Sequence, residues 1–341
     1  MTLLLLVLGL LAAILSAGLL FQAWGSYRDR LRLPPPGRLI DVGQRRLHLH
    51  DRGNGSPAVI LEAGIAGSSL GWAVVQPEIA KFTRVCSYDR AGLGWSDGAS
   101  SVPSISNAVS DLHSLLATAG VPPPYVLVGH SFGGLLARAY AGSMPHEIAG
   151  LVLLDPVSLA YWSDCPPRER ARLRLGARFS RRGARLARFG LVRFALTAML
   201  GGGRILPKLI ARASAGKGRG TVERLVGEVQ KLPRDVWPCI ASHWSSPKCF
   251  RAMAAALEGL PANAQEALGI SVPAQIPLVV LSATGSTELE LEERDRWVRE
   301  SKRGLHIRLE NSGHWVQLEQ PLIVVDAVRE LVLGTLRQSL Q

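Results

Sequence analysis

Charged side chains are missing from the first 27 residues of this 341-residue chain. Thr2 to Phe21 is almost wholly Leu, Ala, Val, Ile and Gly, and about 20 such residues cross the hydrocarbon core of a bilayer. A cleaved signal peptide would want a basic start and a shorter apolar run; no Lys or Arg precedes this one, and it is long. Trp24 and Tyr27 then stand where interfacial aromatics belong, followed by Arg28, Arg30 and Arg32. Residues 1–27 are therefore expected to form a single transmembrane anchor, and 28–37 a tether stiffened by Pro34, Pro35 and Pro36. The positive-inside rule puts these arginines, and the bulk of the chain, on the cytoplasmic side of a single-pass membrane protein. An outward-facing domain is the alternative.

Cysteine is scarce as well. Cys86, Cys165, Cys239 and Cys249 lack metal-ligand spacing. Cys86 lies in a strand pattern as a small buried hydrophobe, while the other three leave room for one disulfide in an oxidising compartment. Acidic residues are short in one place only. Between Arg168 and Lys231, 17 Lys and Arg face 3 Glu, although the whole chain carries only +12. The excess thus belongs to one segment of an otherwise near-neutral protein. No base-stacking motif accompanies it, so a nucleic-acid partner is not expected.

Beyond the tether, short apolar runs alternate with helical stretches. Arg38–Val42, Arg46–His50, Ala58–Leu61, Thr83–Tyr88, Tyr125–Val128, Ile148–Leu154, Ile276–Ala283 and His306–Leu309 read as eight strands. Val74–Ala80, Ile105–Thr118, Leu135–Tyr140, Glu288–Glu300 and Ile323–Leu336 read as helices. Near-continuous Val, Ile and Leu strands separated by helices signify a mostly parallel sheet covered on both faces. From about Leu159 to Gly269 arginine-rich helices replace the alternation, with breaks at Gly201–Gly203 and Ala213–Gly220. The expected division is a core over 38–158, an inserted helical lid over 159–269 and the rest of the core over 270–341. Basic residues flanking the apolar stretch Phe189–Leu200, itself punctured by Arg193, suit contact with anionic lipid headgroups.

The chemistry gathers at the carboxyl ends of the strands, where ligands of such sheets sit. Gly129, His130, Ser131, Phe132 and Gly133 form a G-x-S-x-G turn between a strand and a helix, the context of a nucleophile elbow. The turn lifts the Ser131 hydroxyl to a helix N-terminus, where backbone N–H groups can hold developing negative charge. A serine hydroxyl also needs a base, and the base a carboxylate. His314 follows the last strand, late in the chain as this triad order requires. Asp155 ends the Ile148–Leu154 strand. His48 and His50, two apart on an edge hairpin, read as surface filler, and Asp89 and Arg90 as an ion pair that locks a glycine-rich loop.

Four stretches together resemble the α/β-hydrolase fold, in its lidded esterase, lipase and epoxide-hydrolase-like branch. They are the loop Glu62–Trp72, the stretch Ser87–Asp97, the elbow Gly129–Gly134, and Ser312-Gly313-His314-Trp315 followed by Gln320-Pro321. The resemblance runs from about Arg38 to Leu336, weakly across the lid, and is specific for fold rather than substrate. It implies oxyanion N–H groups from Ile65 and Phe132. A serine rather than an aspartate at the elbow implies acyl transfer, with esters ahead of amides or thioesters. Most relatives take their acid from the loop after the strand equivalent to Ile276–Ala283, which here lacks the usual aspartate and offers only Glu288. A minority take it from the position of Asp155. Asp155 is the first candidate and Glu288 the alternative. The expected activity is a serine ester hydrolase acting on an apolar or lipid-like ester, with no metal or organic cofactor. The alternatives are an amidase, thioesterase or transacylase of the same fold, or an inactive membrane-anchored binding module. Trp72, Trp95 and Trp315 are candidates to line its pocket.

Overall fold

The expected strands assemble, in a computed structural model, into one eight-stranded sheet. The structure describes residues 1–99, 104–200 and 230–334. Strands β1 (Arg38–Asp41), β2 (Arg46–Arg52), β3 (Ala58–Glu62), β4 (Val85–Tyr88), β5 (Tyr125–His130), β6 (Ile148–Leu154), β7 (Leu278–Ser282) and β8 (Gly304–Arg308) lie in the order β1-β2-β4-β3-β5-β6-β7-β8. The β1–β2 and β2–β4 pairs are antiparallel and all the others parallel. Strand ends differ from the sequence expectation by about two residues: β7 stops short of its apolar run, whereas β2 and β5 continue through Arg52 and His130, because ladder hydrogen bonds rather than apolarity set the ends.

Alternation along the strands supplies two cores. On β5, Val126 and Val128 join Val59, Leu61, Val152 and Leu154 on one face, while Leu127 joins Ile60, Leu151 and Leu153 on the other. Each such side chain stabilises the fold by about 1.5–3 kcal/mol through burial. Helix α1 (Thr2–Arg32) precedes the sheet; α2 (Ile105–Ala119) and α3 (Phe132–Ser143) cover the face bearing Leu127. Ser104 caps α2 by accepting from Asn107 N–H, and Gly120 ends it in a left-handed turn. The expected helix Val74–Ala80 shrinks to a turn over Gln76–Ile79, since Pro77 fits only at a helix start.

The described part of the inserted segment is helical. It contains α4 (Pro167–Arg188), α5 (Leu191–Leu200), α6 (Trp237–Trp244) and α7 (Pro247–Leu268); the expected breaks at 201–203 and 213–220 lie outside the described residues. Helix α4 turns Ala177, Ser180, Ala184 and Ala187 inward, and a Cβ on Gly183 would meet the Phe250 ring of α7 at 2.7 Å. Small side chains thus let the two long lid helices touch closely. The chain then returns through β7, α8 (Glu288–Glu300), β8 and α9 (Pro321–Leu333). Thr287 and Glu290 close a capping box on α8.

Two expectations change at the ends of α1 and among the thiols. The helix runs on to Arg32, five residues past the expected anchor boundary, so only residues 33–37 separate it from β1. Its apolar part is long enough to cross a membrane, with a mean hydropathy of 2.8 over an 18-residue window none of which is buried. All four cysteines are free thiols, three of them buried.

Candidate active site

Sheet register brings the candidate nucleophile and acid side by side. On neighbouring parallel strands His130 pairs with Leu154, so Ser131 and Asp155 leave the sheet together. Each is tied to the next strand: Ser131 N–H donates to Leu154 O at 2.9 Å and Asp155 N–H to Leu281 O at 2.7 Å. Both then turn into positive φ, 55° for Ser131 and 40° for Asp155. Ala66, beside the candidate oxyanion residue Ile65, has φ 57°, and these are the non-glycine residues with positive φ among those described. Such strain costs about 1–3 kcal/mol per residue and gathers where surrounding structure over-determines it. Here the surrounding backbone leaves no slack. A Cβ on Gly129 would lie 2.5 Å from Gly133 O, and one on Gly133 2.2 Å from Glu62 O. The hydroxyl of Ser131 sits at the N-terminus of α3, in a residue that is 9% exposed.

His314 reaches this edge from the loop after β8. Its Nδ1 is 2.6 Å from Asp155 Oδ2. The other carboxylate oxygen, Oδ1, accepts from Ala283 N–H at 3.2 Å, Ser286 Oγ at 2.9 Å and Arg294 Nη1 at 2.9 Å. Burial alone would raise the pKa of Asp155, but the hydrogen bond with His314 and the Arg294 charge overcome it and hold the carboxyl well below the usual range. The imidazole of His314 is about half exposed. Its backbone is fixed by His130, whose Nε2–H donates to His314 O at 2.8 Å. Burial and the neighbouring His314 push His130 down to about 3, so it stays neutral and able to donate. Among the described residues no hydrogen bond joins Ser131 Oγ to His314. Glu288 is exposed in the first turn of α8, with no hydrogen bond to His314 among the described residues.

The loop after β3 closes the other side. A Cβ on Gly64 would lie 3.4 Å from Ser131 Cβ, so this backbone passes directly over the serine. Arg90 holds the loop by its carbonyls, donating from Nη1 to Ala63 O and from Nη2 to Gly64 O, each at 2.5 Å. In a trans peptide the N–H points opposite the C=O, so anchoring Gly64 O turns the Ile65 N–H away from the guanidinium. Arg90 and Tyr88 both donate to the buried carboxylate of Glu62. Burial raises Glu62 while the Arg90 charge lowers it, and burial prevails. Beside Ala66 and Phe132 lies a cavity of about 80 Å³, walled mainly by apolar groups such as Leu93, Leu136, Ala252 and Ala256, with Arg45 and Asp111 also at its wall. The two alanines come from α7, so the lid closes this space.

Several sequence expectations are corrected here. Asp89 and Arg90 do not pair with one another. Asp89 instead accepts from Ser69 N–H at 2.7 Å and lies 2.9 Å from His48 Nδ1. Burial opposes its ionisation, but those contacts bring it down to about 2. His48 is fully buried rather than surface filler: the hairpin is capped by Trp95, whose ring lies 4.9 Å from that of His48. Trp72 is core at 1% exposure, and none of Trp72, Trp95 and Trp315 lines the cavity. Trp315 stacks near His130, with ring centroids 5.2 Å apart. Sequence reading missed Arg294, Ser286 and Glu62 as supports of the site. Glu62, an acid at the end of an otherwise apolar strand, was the one with a visible signal. No group of three or more His, Cys, Asp or Glu able to hold a metal occurs among the described residues.

Residues 57–197 match the sequence family described as the alpha/beta hydrolase fold. The uncharacterized protein YqjL of Bacillus subtilis is 36% identical over 107 residues, 31% of this chain and 42% of that protein. The chain spans less than half the length of the curated relatives it matches. Among solved structures, a thermophilic esterase from Thermogutta terrifontis is 21% identical with a TM-score of 0.56, covering 86% of this chain and 95% of that one. The epoxide hydrolase CorEH is 19% identical with a TM-score of 0.58, covering 88% and 98%.

Proposed function

From the α/β-hydrolase fold that this chain carries, we propose that it is a serine hydrolase cleaving a carboxylic ester through an acyl-enzyme. The observation that carries this reading is the 2.6 Å contact of His314 Nδ1 with Asp155 Oδ2, one strand away from the strained serine at the head of α3. In this mechanism His314 takes the Ser131 proton as Oγ attacks the ester carbonyl. Asp155 fixes the tautomer, with the proton on Nδ1, and steadies the imidazolium. The N–H groups of Ile65 and Phe132 hold the oxyanion, and His314 then protonates the departing alcohol. Water repeats the cycle on the acyl-enzyme.

The hydrogen bond with His314 and the Arg294 charge, with a smaller part from Ser286, keep Asp155 ionised, as a tautomer-fixing partner must be. The cavity beside Ala66 and Phe132 favours an apolar group on the ester. The helix Thr2–Arg32 anchors the chain in a membrane, with its catalytic domain on the side of Arg28, Arg30 and Arg32. A fluorophosphonate probe tests the chemistry: it should label the wild type and leave Ser131→Ala untouched. A ladder of p-nitrophenyl esters then gives the preferred acyl length. Labelling without turnover of any ester would move the reading to amide or thioester substrates or to acyl transfer. Absence of labelling would leave a binding module.

A further inference from the structure

One face of the anchor helix is not free. Gly18, Gln22, Gly25 and Asp29, spaced three and four apart, form a stripe along α1 that meets the lid. A Cβ on Gly18 would lie 2.5 Å from Phe189 O, and one on Gly190 would meet Phe21 Cδ1 at 2.7 Å. Into the stripe goes Arg193, the one charge of the apolar lid segment, only 7% exposed. Its Nε donates to Gln22 Oε1 at 3.1 Å, Nη1 to Asp29 Oδ2 at 2.5 Å and Nη2 to Ser26 Oγ at 3.3 Å. Gln22 Nε2 in turn donates to Ser245 O at 3.1 Å. The lid therefore grips α1 from Gly18 to Asp29, the end at which the apolar run gives way to Trp24, Tyr27 and the arginines. That end is where a spanning helix leaves the hydrocarbon core.

The lid surface beside this grip has an unusual make-up. On α4, Leu175, Phe179 and Leu186 are 47%, 57% and 48% exposed, spaced four and seven apart on the face opposite Ala177, Ser180, Ala184 and Ala187. At the start of α5, Leu191 and Phe194 are 55% and 60% exposed. Nine arginines and a single glutamate lie within α4. Arg178, Arg182 and Arg185 flank the apolar crest without a carboxylate partner among the described residues, and Arg182 lies 5.9 Å from the Phe179 ring centre. An apolar crest lined by arginine matches a helix lying in the headgroup layer: the crest enters the acyl boundary and the guanidiniums take lipid phosphates. An ordinary solvated helix gains nothing from exposing Phe179 and Phe194.

We propose that this outward lid face rests on the surface of an anionic bilayer, held at that depth by the Arg193 clasp on α1. The inference rests on the membrane reading of α1 but not on the hydrolase chemistry.

The test uses the full chain in nanodiscs of phosphatidylcholine, alone or mixed with phosphatidylglycerol. An environment-sensitive fluorophore is placed by Phe179→Cys in a Cys239→Ser background, the other three thiols being buried. The same label at Leu11→Cys reports insertion of α1. Lipids bearing a quencher near the headgroup should quench the Phe179 label in the phosphatidylglycerol discs. High salt, or the joint change Arg178→Gln, Arg182→Gln and Arg185→Gln, should remove most of that quenching and leave the Leu11 label quenched by deep-quenching lipids. A Phe179 label that stays in water while the Leu11 label is inserted would overturn the proposal. So would failure of the Leu11 label to insert, or shielding of Phe179 only in discs that hold two chains, which would assign the face to a second copy. Fluorophosphonate labelling in the same discs reports the hydrolase reading separately.

Discussion

The sheet edge and the lid solve the problem of placing a charged side chain in opposite ways. At the sheet edge backbone register does the placing. Ser131 and Asp155 are each the first residue past a ladder, and Arg294 and Ser286 then fix a carboxylate already in position. Among the described residues of the lid no ladder exists. Helices approach through Gly18, Gly183 and Gly190, and a single buried guanidinium, Arg193, sets how α5 lies on α1. A site built on register tolerates change around it, whereas one built on a single ionic clasp concentrates its stability in one side chain.

Substitutions sharpen that contrast. Ser131→Ala should abolish fluorophosphonate labelling and lower ester turnover by about 10⁶-fold. Asp155→Asn should cost about 10⁴ in kcat, because it leaves the wrong His314 tautomer, while Glu288→Gln leaves turnover unchanged. Equal losses from both would break the assignment of the acid. Arg90→Met should lower kcat about 10²-fold with little effect on KM, since it releases the carbonyls that orient Ile65 N–H and misplaces an oxyanion donor. A drop confined to KM would count against that role.

In the lid, Arg193→Ala strands Asp29 and should cost about 3 kcal/mol, read as faster proteolysis within the lid. Pairing Arg193→Met with Asp29→Leu should restore most of it. The smallest effect concerns acid. Burial, aided by Lys248, brings His243 down to about 4 against the pull of Asp89. Folded His243 is then neutral where the unfolded chain takes a proton, below about pH 6.5. Its contribution to stability is full above that value and is lost as pH falls towards 4. His243→Phe should flatten the decline of Tm with falling pH across this window; an unchanged slope would exclude His243 as its source.

The elements that sequence reading captured are those with a local signature. The strand, glycine turn and helix around Ser131, the apolar runs of β5 and β6, and the late loop bearing His314 each show within about ten residues. The missed contacts are all long-range. Arg294 sits in α8 among acidic and basic residues that look like any solvated face, and only the packing of α8 against β7 and β8 aims it at Asp155. His48 shares its strand with exposed arginines, so nothing local distinguishes it; Trp95 and Asp89 bury it from another loop. Arg193 did stand out as one charge in an apolar stretch, but its partners are 164 to 171 residues away. Nothing near it in sequence names those partners; tertiary contact with α1 supplies Gln22, Ser26 and Asp29.

The position of Asp155 carries a mechanical corollary. Only Pro156, Val157 and Ser158 separate it from Leu159, where the first helical turn of the inserted segment begins. Those few residues are bolted down: Arg294 Nη2 donates to Pro156 O at 2.6 Å, and Glu293 accepts from Ala160 N–H at 3.0 Å. An acid borne after β7 would sit on a separate stretch of chain from this root. Here any swing of the lid applies its torque within four residues of the carboxylate that contacts His314. A displacement of the lid and the contact of Asp155 with His314 Nδ1 therefore act through one pivot.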